Sequence, residues 1–421
     1  MNYIRILLKK SHIEQGLSIE SQTFRKKYAK RGFTVRFKSK VAKPRVIVIG
    51  GGYAGLAAVL YLSKTAAFDV LLIDRNESFL ELTQLHKTVH SSLSVLQTPY
   101  SSLAKTIGFR YLRKDLPVDG AALRVWQAQG AIASSKELFP FDYLIICTGA
   151  CAHPLEAGSP GAAVGKQLLN LEHLKQSGLQ TYLQTFLKQN APEQRVLSIV
   201  GGGASGVQFL FELDDYLRTK REQCLLNFIH AEDRLLTGFP ESFHEHVRSL
   251  LRSRNGTIEY LPATRFIAQS DESIMLASMT GDKRFTRASH LTLLFPGVSP
   301  QPLGCETDPQ GRVFFHGEAS PNIFAAGDCS IYAGSGLNAL TAQAAVRKAK
   351  LVAANVECLA KGRALHNYDY QALGYFVGLG TWDGIGWLLA ESNTLAGLPA
   401  FAIKSAVEKQ FSLLLTGIDA Y

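Results

Sequence analysis

The stretch Val46–Leu56 reads VIVIGGGYAGL, and it decides the fold of the chain. Its first four residues are β-branched and apolar, which is typical of a buried parallel strand. Gly50, Gly52 and Gly55 follow with the spacing G-x-G-x-x-G, and a helical pattern starts at Ala54. Such glycines allow a tight turn, a close approach of backbone to a pyrophosphate and close packing of helix on strand. The stretch therefore predicts a strand–turn–helix unit that cradles a dinucleotide at the positive end of the helix dipole.

A second apolar strand completes this signature. Val70–Ile73 is followed by Asp74, at the point where a carboxylate is expected to bind a ribose hydroxyl. The alternative for Asp74 is a strand-end residue that caps a turn. The candidate site also includes the neighbours Gly51, Ala54 and Arg75.

The opening pattern occurs a second time about 150 residues later. Val196–Val207 reads VLSIVGGGASGV, and Gly201, Gly203 and Gly206 repeat the glycine spacing. Leu225–Ile229 then supplies the second strand of another β-α-β unit. Two such units are far more specific than one, and they predict two dinucleotides.

The second unit departs from the first at the end of its second strand. His230 stands where the first unit has Asp74. A carboxylate there would bind the adenosine ribose and repel a 2′-phosphate, whereas histidine does neither strongly. Because Arg234 is nearby, NADPH stays open beside NADH. The alternative is that Glu232 binds the ribose in a shifted register.

Two further strand ends carry candidate ligand contacts. Thr148 and Gly149 end the apolar run FDYLIICTGA, and Gly327 and Asp328 end the run IFAAGDC. A strand that turns on glycine can bring backbone close to a ligand. Asp328 could then bond a ribityl or phosphate-side hydroxyl. The alternatives are an ordinary turn for the first run and an N-cap for Asp328.

The charge of the chain is concentrated at its N-terminus. The net charge is +10 over 421 residues, a length that predicts two or three domains. Residues 1–45 hold thirteen Lys or Arg and two acids, so the remainder carries a net charge of −1. A near-neutral body argues against nucleic-acid binding. The basic arm is interpreted as a disordered extension, a segment attracted to anionic lipid, or an organelle transit peptide.

The cysteines and histidines predict neither a redox dithiol nor a metal site. None of the six cysteines forms C-x-x-C, and each is interpreted as a structural thiol, which fits a reducing compartment. His86 and His90 have the spacing of two ligands on one helical face, but Lys87 replaces the metalloprotease glutamate. They are therefore interpreted as helix-surface histidines.

The C-terminal stretch is predicted to form a hairpin over Tyr375–Trp387 and then a helix after Pro399. An apolar stripe recurs near helical spacing at Ile403, Val407, Phe411 and Leu414. Lys404 and Lys409 are expected on other faces of this helix. The helix is interpreted either as packed on the body of the protein or as lying on lipid. No apolar run reaches the length of a membrane-spanning helix.

Taken together, these motifs carry a family resemblance. The paired glycine-rich units, Thr148–Ala150 (TGA) and Gly327–Cys329 (GDC) resemble the two-dinucleotide-binding flavoprotein reductases of the pyridine nucleotide-disulfide oxidoreductase superfamily, without the disulfide. Within these, the chain looks most like the type II NADH dehydrogenases and the ferroptosis-suppressor branch of the apoptosis-inducing-factor-like proteins. The resemblance extends from about residue 45 to the end.

The resemblance implies an α/β fold with two Rossmann-like domains, for FAD and NAD(P)H, the latter inserted in the former. The implied division is a basic extension (1–44, expected to be disordered), an FAD-binding domain (45–155 and 301–362), an NAD(P)H-binding domain (156–300) and a C-terminal region facing membrane or partner (363–421). FAD is placed on Gly50, Gly52, Gly55 and Asp74, with Asp328 on its ribityl–phosphate side. NAD(P)H is placed on Gly201, Gly203 and Gly206. Thr341, Ala342 and Gln343 are similar to the family segment that meets the flavin ring.

The chain departs from the type II dehydrogenases at two positions. Their quinone-side pattern A-Q-x-A-x-Q reads here with Arg347 in place of the second glutamine, and Gln208 replaces a usual glutamate. His230 and Trp382–Gly384 are more similar to the ferroptosis-suppressor branch.

The resulting functional hypothesis is an FAD-dependent oxidoreductase that passes electrons from NAD(P)H to a quinone-like acceptor. No residue of the chain is named as catalytic. The alternatives are a soluble reductase of a small electron-carrier protein, a sulfide:quinone-type enzyme using Cys151 or Cys329, and a non-enzymatic flavin-bound protein. The expected location is the cytoplasm or the surface of the inner membrane, or the mitochondrion if the arm is a transit peptide. A homodimer is compatible with this hypothesis.

Overall fold

The computed structural model describes residues 42–134, 137–153, 167–188, 194–254, 256–281, 283–300, 304–334 and 336–419. Residues Pro44–Tyr421 form one compact unit. The interpretations of the basic arm concern residues that lie, up to residue 41, outside the described part of the chain.

The first part of this unit alternates short strands and helices. Its elements are β1 (Arg45–Ile49), α1 (Tyr53–Lys64), β2 (Asp69–Asp74), β3 (Ser78–Leu80), two 3-10 helices (Leu82–Val89 and Leu93–Leu96), β4 (Gln97–Pro99), α2 (Tyr100–Ile107), β5 (Arg110–Arg113), α3 (Gly120–Gln129), β6 (Ala131–Ser134), β7 (Glu137–Pro140), β8 (Tyr143–Ile146) and β9 (Ala150–Ala152).

The middle part repeats the strand–helix alternation and adds an antiparallel sheet. Its elements are β10 (Leu168–Asn170), α4 (Leu171–Ser177), α5 (Gln180–Lys188), β11 (Arg195–Val200), α6 (Ala204–Lys220), β12 (Cys224–Ile229), α7 (Glu241–Ser253), β13 (Ile258–Leu261), β14 (Thr264–Gln269), β15 (Ser273–Ser278), β16 (Arg284–Ala288), β17 (Leu291–Leu294) and β18 (Val298–Pro300).

The last part returns to the first sheet and then forms a small unit of its own. Its elements are β19 (Cys305–Thr307), β20 (Arg312–Phe315), β21 (Glu318–Ala325), β22 (Ser330–Tyr332), α8 (Ala342–Ala360), β23 (Gly374–Gly378), β24 (Gly384–Leu388), β25 (Ala390–Ala396) and α9 (Leu398–Leu415).

The core of the molecule contains two sheets whose central strands are parallel. The larger has the order β22-β19-β20-β21-β8-β1-β2-β5, and the second, β10-β17-β11-β12-β13, is parallel throughout. The chain leaves the larger sheet after β8, builds the second sheet, and returns at β19. The predicted α/β class with two Rossmann-like units is therefore confirmed.

The opening strand is buried on both faces, as its continuous apolar run indicates. Val46 and Val48 belong to a core that includes residues of α1 and α8. Ile47 and Ile49 point to the opposite layer, where Trp126 of α3 packs. This burial fixes the carboxyl end of β1, from which the first glycine turn starts.

The C-terminal unit is an antiparallel sheet, β23-β24-β25, with α9 packed beside it. The predicted hairpin is confirmed, with Tyr375 paired to Trp387. The ring centroid of Phe411 lies 4.6 Å from that of Tyr53 and 5.0 Å from that of Phe79, so α9 packs on the body of the protein. No helix in the described ranges has the length and apolar character needed to cross a bilayer.

Two expectations for this region were wrong. Lys404 was expected on a face of α9 other than that of the apolar stripe, yet it is only 9% exposed. His86 was expected on a helix surface, yet it is 3% exposed. The reason is that the two residues meet each other: the Lys404 ammonium forms an ion pair with Glu408 and lies 3.5 Å from His86 Nε2.

Candidate functional site

In the first loop, Gly50 and Gly55 are packed closely against neighbouring backbone carbonyl groups. Gly50 has φ +97°, and a Cβ there would lie 2.2 Å from the carbonyl oxygen of Cys147. A Cβ on Gly55 would lie 1.8 Å from the carbonyl oxygen of Gly50. No side chain fits at either position, whereas a Cβ on Gly52 would meet nothing within 4 Å. The open side of this turn is therefore at its central glycine.

The second loop has the same construction. Gly201 has φ +116°, and its Cβ would lie 2.3 Å from the carbonyl oxygen of Phe295. A Cβ on Gly206 would lie 1.9 Å from the carbonyl oxygen of Gly201, while Gly203 faces open space. Both turns thus leave room for a ligand at the N-terminus of the following helix, α1 or α6. This is the space that a dinucleotide pyrophosphate requires.

The strand-end residues of the two units also occupy matching positions. Asp74 Oδ2 accepts a hydrogen bond from the backbone N–H of Gly51, at 2.6 Å. His230 Nδ1 accepts one from the backbone N–H of Gly202, at 3.1 Å. The histidine therefore takes the structural place of the aspartate beneath the second glycine turn.

These contacts define the state of the His230 ring. Because Nδ1 accepts from Gly202, the proton lies on Nε2, which donates to the carbonyl oxygen of Arg234 at 3.1 Å. Burial lowers the pKa of the imidazole, so the ring is neutral at physiological pH. Arg234 is engaged with Glu241, at 3.0 Å, and with the carbonyl oxygen of Phe239. His230 thus supports the loop as a neutral acceptor.

This arrangement predicts a specific pH dependence of binding for the dinucleotide expected at the second turn. Protonation of His230 places an N–H against the N–H of Gly202, so the KM for that nucleotide should rise several-fold as the pH falls below the ordinary histidine range. The stability that the neutral ring contributes is present above its unfolded pKa and is lost as the pH falls through the lowered value. In the variant His230→Asn, an amide oxygen accepts the same bond without titrating, and its KM should stay flat. Identical acid limbs in steady-state kinetics of both proteins would contradict this role.

The GDC turn packs directly on the first loop. Gly327 has φ +82°, and a Cβ there would lie 2.8 Å from Cβ of Ala54 on α1. Asp328 is mostly buried, and burial raises the pKa of its carboxyl to about 6, against the opposing charges of Lys348 and Lys175. Gly149 has φ +79° and faces open space. The structure thus brings the loop at residues 50–55 and the GDC turn together, as predicted.

A buried lysine beneath this turn was missed by the sequence analysis. Lys348 is 1% exposed, and its Nζ donates to the carbonyl oxygen of Ser330 at 2.9 Å. The same Nζ lies 3.5 Å from the carbonyl oxygen of Gly327. Its only signal in the sequence is position, since it falls on the buried face of α8 among alanines and valines.

The segment predicted to meet the flavin ring starts α8. Thr341 is the N-cap, and its Oγ1 accepts from the N–H of Ala344 at 3.1 Å. Gln343 Oε1 accepts from the N–H of Leu373 at 3.5 Å, and Gln208 Oε1 accepts from the N–H of Gly378 at 3.4 Å. Gln343 of the first glycine-rich unit therefore binds the residue just before β23, and Gln208 of the second unit binds the last residue of β23.

The remaining predicted residues are less enclosed or less reactive. Arg75 is exposed beside Asp74, and its carbonyl oxygen accepts from Arg113 Nε at 3.3 Å. Cys329 is fully buried, burial raises its pKa, and its thiol lies 3.4 Å from two carbonyl oxygens. Cys151 Sγ lies 4.0 Å from the hydroxyl of Ser299. All six cysteines are free thiols.

The family is shown by comparison with known proteins. The family model described as pyridine nucleotide-disulphide oxidoreductase matches residues 44–349, and the chain belongs to this family. The predicted class is thereby confirmed: the protein is a flavoprotein oxidoreductase that uses FAD with a pyridine nucleotide as co-substrate.

Individual relatives cover nearly the whole chain. A type II NADH:quinone oxidoreductase of Staphylococcus aureus is 25% identical over an alignment of 403 residues, and the match covers 89% of this chain and 97% of the relative. The fold is similar to that of NDH2 from Plasmodium falciparum, with a TM-score of 0.69 at 15% identity, covering 87% of this chain and 94% of that one. It is also similar to the sulfide:quinone oxidoreductase from Aquifex aeolicus, with a TM-score of 0.70 at 17% identity, covering 90% and 93%.

Proposed function

We propose that the protein is an NADH:quinone oxidoreductase in which FAD carries electrons between the two substrates. The observation that carries this proposal is the duplicated glycine turn, each copy with its central glycine facing open space. When bound, FAD supplies the ability to take two electrons from a nicotinamide and release them to an acceptor. The chain itself binds and orients the reactants.

Each unit would contribute backbone and one strand-end side chain. At the first turn, the α1 N-terminus would face the FAD pyrophosphate, with Asp74 on the ribose and Asp328 on the ribityl side. At the second turn, the α6 N-terminus would face the NADH pyrophosphate, with His230 supporting the turn from below. The N-terminus of α8, at Thr341–Gln343, would direct its positive dipole end at the flavin ring.

The proposed acceptor, a quinone, is supported by the Staphylococcus aureus relatives, which are named type II NADH:quinone oxidoreductases. The buried position of Cys329 does not favour the sulfide:quinone alternative, because a thiol of raised pKa is a poor nucleophile. The two residues that depart from the family pattern, Arg347 and Gln208, both contact the C-terminal region. Arg347 donates a hydrogen bond to the carbonyl oxygen of Gln371 at 3.0 Å, and Gln208 Oε1 accepts one from the N–H of Gly378.

The C-terminal unit is the proposed membrane-facing part. Leu398, Val407 and Leu413 of α9 are 58%, 45% and 41% exposed, and Trp382 is 71% exposed. A lipid-soluble quinone would reach the protein from such a surface. The same proposal includes the division into an FAD-binding domain (45–155 and 301–362), an NAD(P)H-binding domain (156–300) and this C-terminal region (363–421), and a location on the inner membrane. Sedimentation of the purified protein would show whether the homodimer forms.

The function is tested by an acceptor panel with NADH and with NADPH. Steady-state turnover should be fast with a short-chain quinone and should survive Cys151→Ala and Cys329→Ala together. Turnover with a ferredoxin or rubredoxin but none with quinone would contradict the proposal and favour the electron-carrier alternative. Loss of quinone turnover in the double cysteine variant would favour the sulfide-type chemistry.

A further inference from the structure

Lys348 is a buried, charged residue at a position where the packing of the fold does not require a charge. It lies on the inner face of α8 and is 1% exposed. Within the described residues, no carboxylate lies at ion-pair distance from its ammonium. Its three acceptors are uncharged oxygens: the carbonyls of Ser330 and Gly327, and Oδ1 of Asn338 at 3.5 Å. Burying an ammonium without a paired carboxylate is costly, and an apolar side chain would fill this position without that cost.

The ammonium of Lys348 stays charged at neutral pH despite its burial. Its Nζ lies 5.0 Å from the ring centroid of Tyr332 and 5.9 Å from that of Tyr368, distances at which an aromatic face attracts a cation. Burial lowers the pKa of Lys348 to about 8, with Asp328 and Cys329 acting in the opposite direction. The lysine is therefore protonated at neutral pH.

All three oxygen acceptors belong to the segment that joins β21 to α8. Gly327 and Ser330 flank Asp328 in this segment, and Gly327 is pressed against Ala54 of the first glycine loop. The lysine thus binds backbone carbonyl oxygens of the turn on both sides of Asp328. The positive charges of Lys348 and Lys175 both lower the pKa of Asp328 and so favour its ionised form, and Lys348 has the larger effect.

We propose that Lys348 is a positioning residue for the flavin site: it fixes the turn Gly327–Ser330 and supplies the buried positive charge that keeps the Asp328 carboxylate ionised to accept a hydroxyl of the bound cofactor. This inference rests on the proposed FAD site and goes beyond it by assigning a role to a lysine two turns into α8. Asp328 makes the contact, and Lys348 acts through it.

The consequence is a pH profile of FAD binding that Lys348 sets. Burial alone drives the pKa of Asp328 upward, and Lys348 is the first of the two charges that oppose this. In the wild type, FAD affinity should fall only in acid, near pH 6. Without the lysine charge, the loss should begin at a higher pH: a rise of one pKa unit from about 6 would lower the ionised fraction of Asp328 at pH 7, and with it the FAD affinity, by about twofold.

The test compares Lys348→Met with the matched control Lys350→Met. Lys350 lies on the same helix but pairs with Asp419, at 2.6 Å. FAD dissociation constants of the apoproteins are measured from acidic to mildly alkaline pH. The midpoint should move upward in Lys348→Met and stay in place in Lys350→Met. Asp328→Asn should remove the pH dependence, and the double variant Asp328→Asn/Lys348→Met should show none either. An unmoved midpoint in Lys348→Met, or a midpoint that persists in Asp328→Asn, would overturn the inference.

A second measurement keeps this inference independent of the FAD assignment. The titration of the Asp328 carboxyl is followed by carbon NMR in wild-type apoprotein and in Lys348→Gln, which keeps a polar group if methionine prevents folding. A higher Asp328 pKa in the variant supports the inference, and an unchanged one overturns it. Wild-type apoprotein that binds no FAD at any pH would instead contradict the proposed function.

Discussion

Gly52→Val should fold normally and purify without colour. A side chain at Gly52 meets nothing within 4 Å, so the valine fits the apoprotein, and the backbone at this N-cap is extended (φ −69°). The same side chain occupies the space proposed for the FAD pyrophosphate, where backbone must approach closely. We expect FAD occupancy below about a tenth of wild type, equivalent to a loss of more than about 1.4 kcal/mol of binding free energy. The measurements are flavin content by absorption and apoprotein unfolding by calorimetry.

The matched control is Gly281→Val, another glycine with nothing within 4 Å of its Cβ position but located in the loop between β15 and β16. This variant should keep its full flavin content. Gly55→Ala should fail differently, by destabilising the fold itself, since its Cβ would lie 1.8 Å from the carbonyl oxygen of Gly50. A yellow Gly52→Val protein with full flavin content would refute the assignment of the first loop.

Gly203→Val should have the opposite effect to Gly52→Val: it should impair the use of NADH and leave FAD binding intact. It faces open space at the second turn, so the protein should fold and stay yellow. Its NADH pyrophosphate space is filled, and flavin reduction by a fixed subsaturating NADH concentration should slow by at least about 100-fold, equivalent to about 2.7 kcal/mol. Anaerobic stopped-flow mixing with NADH measures this rate.

Dithionite is the control for Gly203→Val, because it reduces bound flavin without using the nucleotide site. It should bleach the variant as it bleaches wild type. Normal NADH reduction in Gly203→Val would remove the second turn from the mechanism. Loss of flavin in this variant would show that the two turns do not act on separate dinucleotides.

Much of this architecture can be predicted from sequence because it is carried by local patterns. The turns at Gly50 and Gly201 need positive φ and backbone contact, which few residues other than glycine tolerate, so their spacing alone locates both cradles. His230 could be aligned with Asp74 for the same reason, since each residue directly follows or ends the second strand of its unit. What the histidine does there, as a neutral acceptor for Gly202, required its hydrogen-bond partners.

The buried charges could not be predicted, because their environment comes from distant parts of the chain. The alanines and valines around Lys348 are the only hint of its burial in the sequence, and only the fold of the preceding segment places carbonyl oxygens around its ammonium. Helical spacing placed Lys404 off the apolar stripe of its helix, and the missing metal-site residues left His86 as a helix-surface histidine. They lie together because α9 packs on the 3-10 helix Leu82–Val89, more than 300 residues earlier in the chain. Tertiary contacts decide such cases over periodicity.

The central claim is that two glycine turns hold FAD and NADH so that electrons pass from one to the other and on to a quinone. An anaerobic absorption titration of the purified holoprotein tests it most directly. Stoichiometric NADH should bleach the flavin band, and one equivalent of quinone should then restore it. A protein that carries no flavin and cannot be reconstituted with FAD, or whose flavin NADH leaves oxidised, would contradict the account.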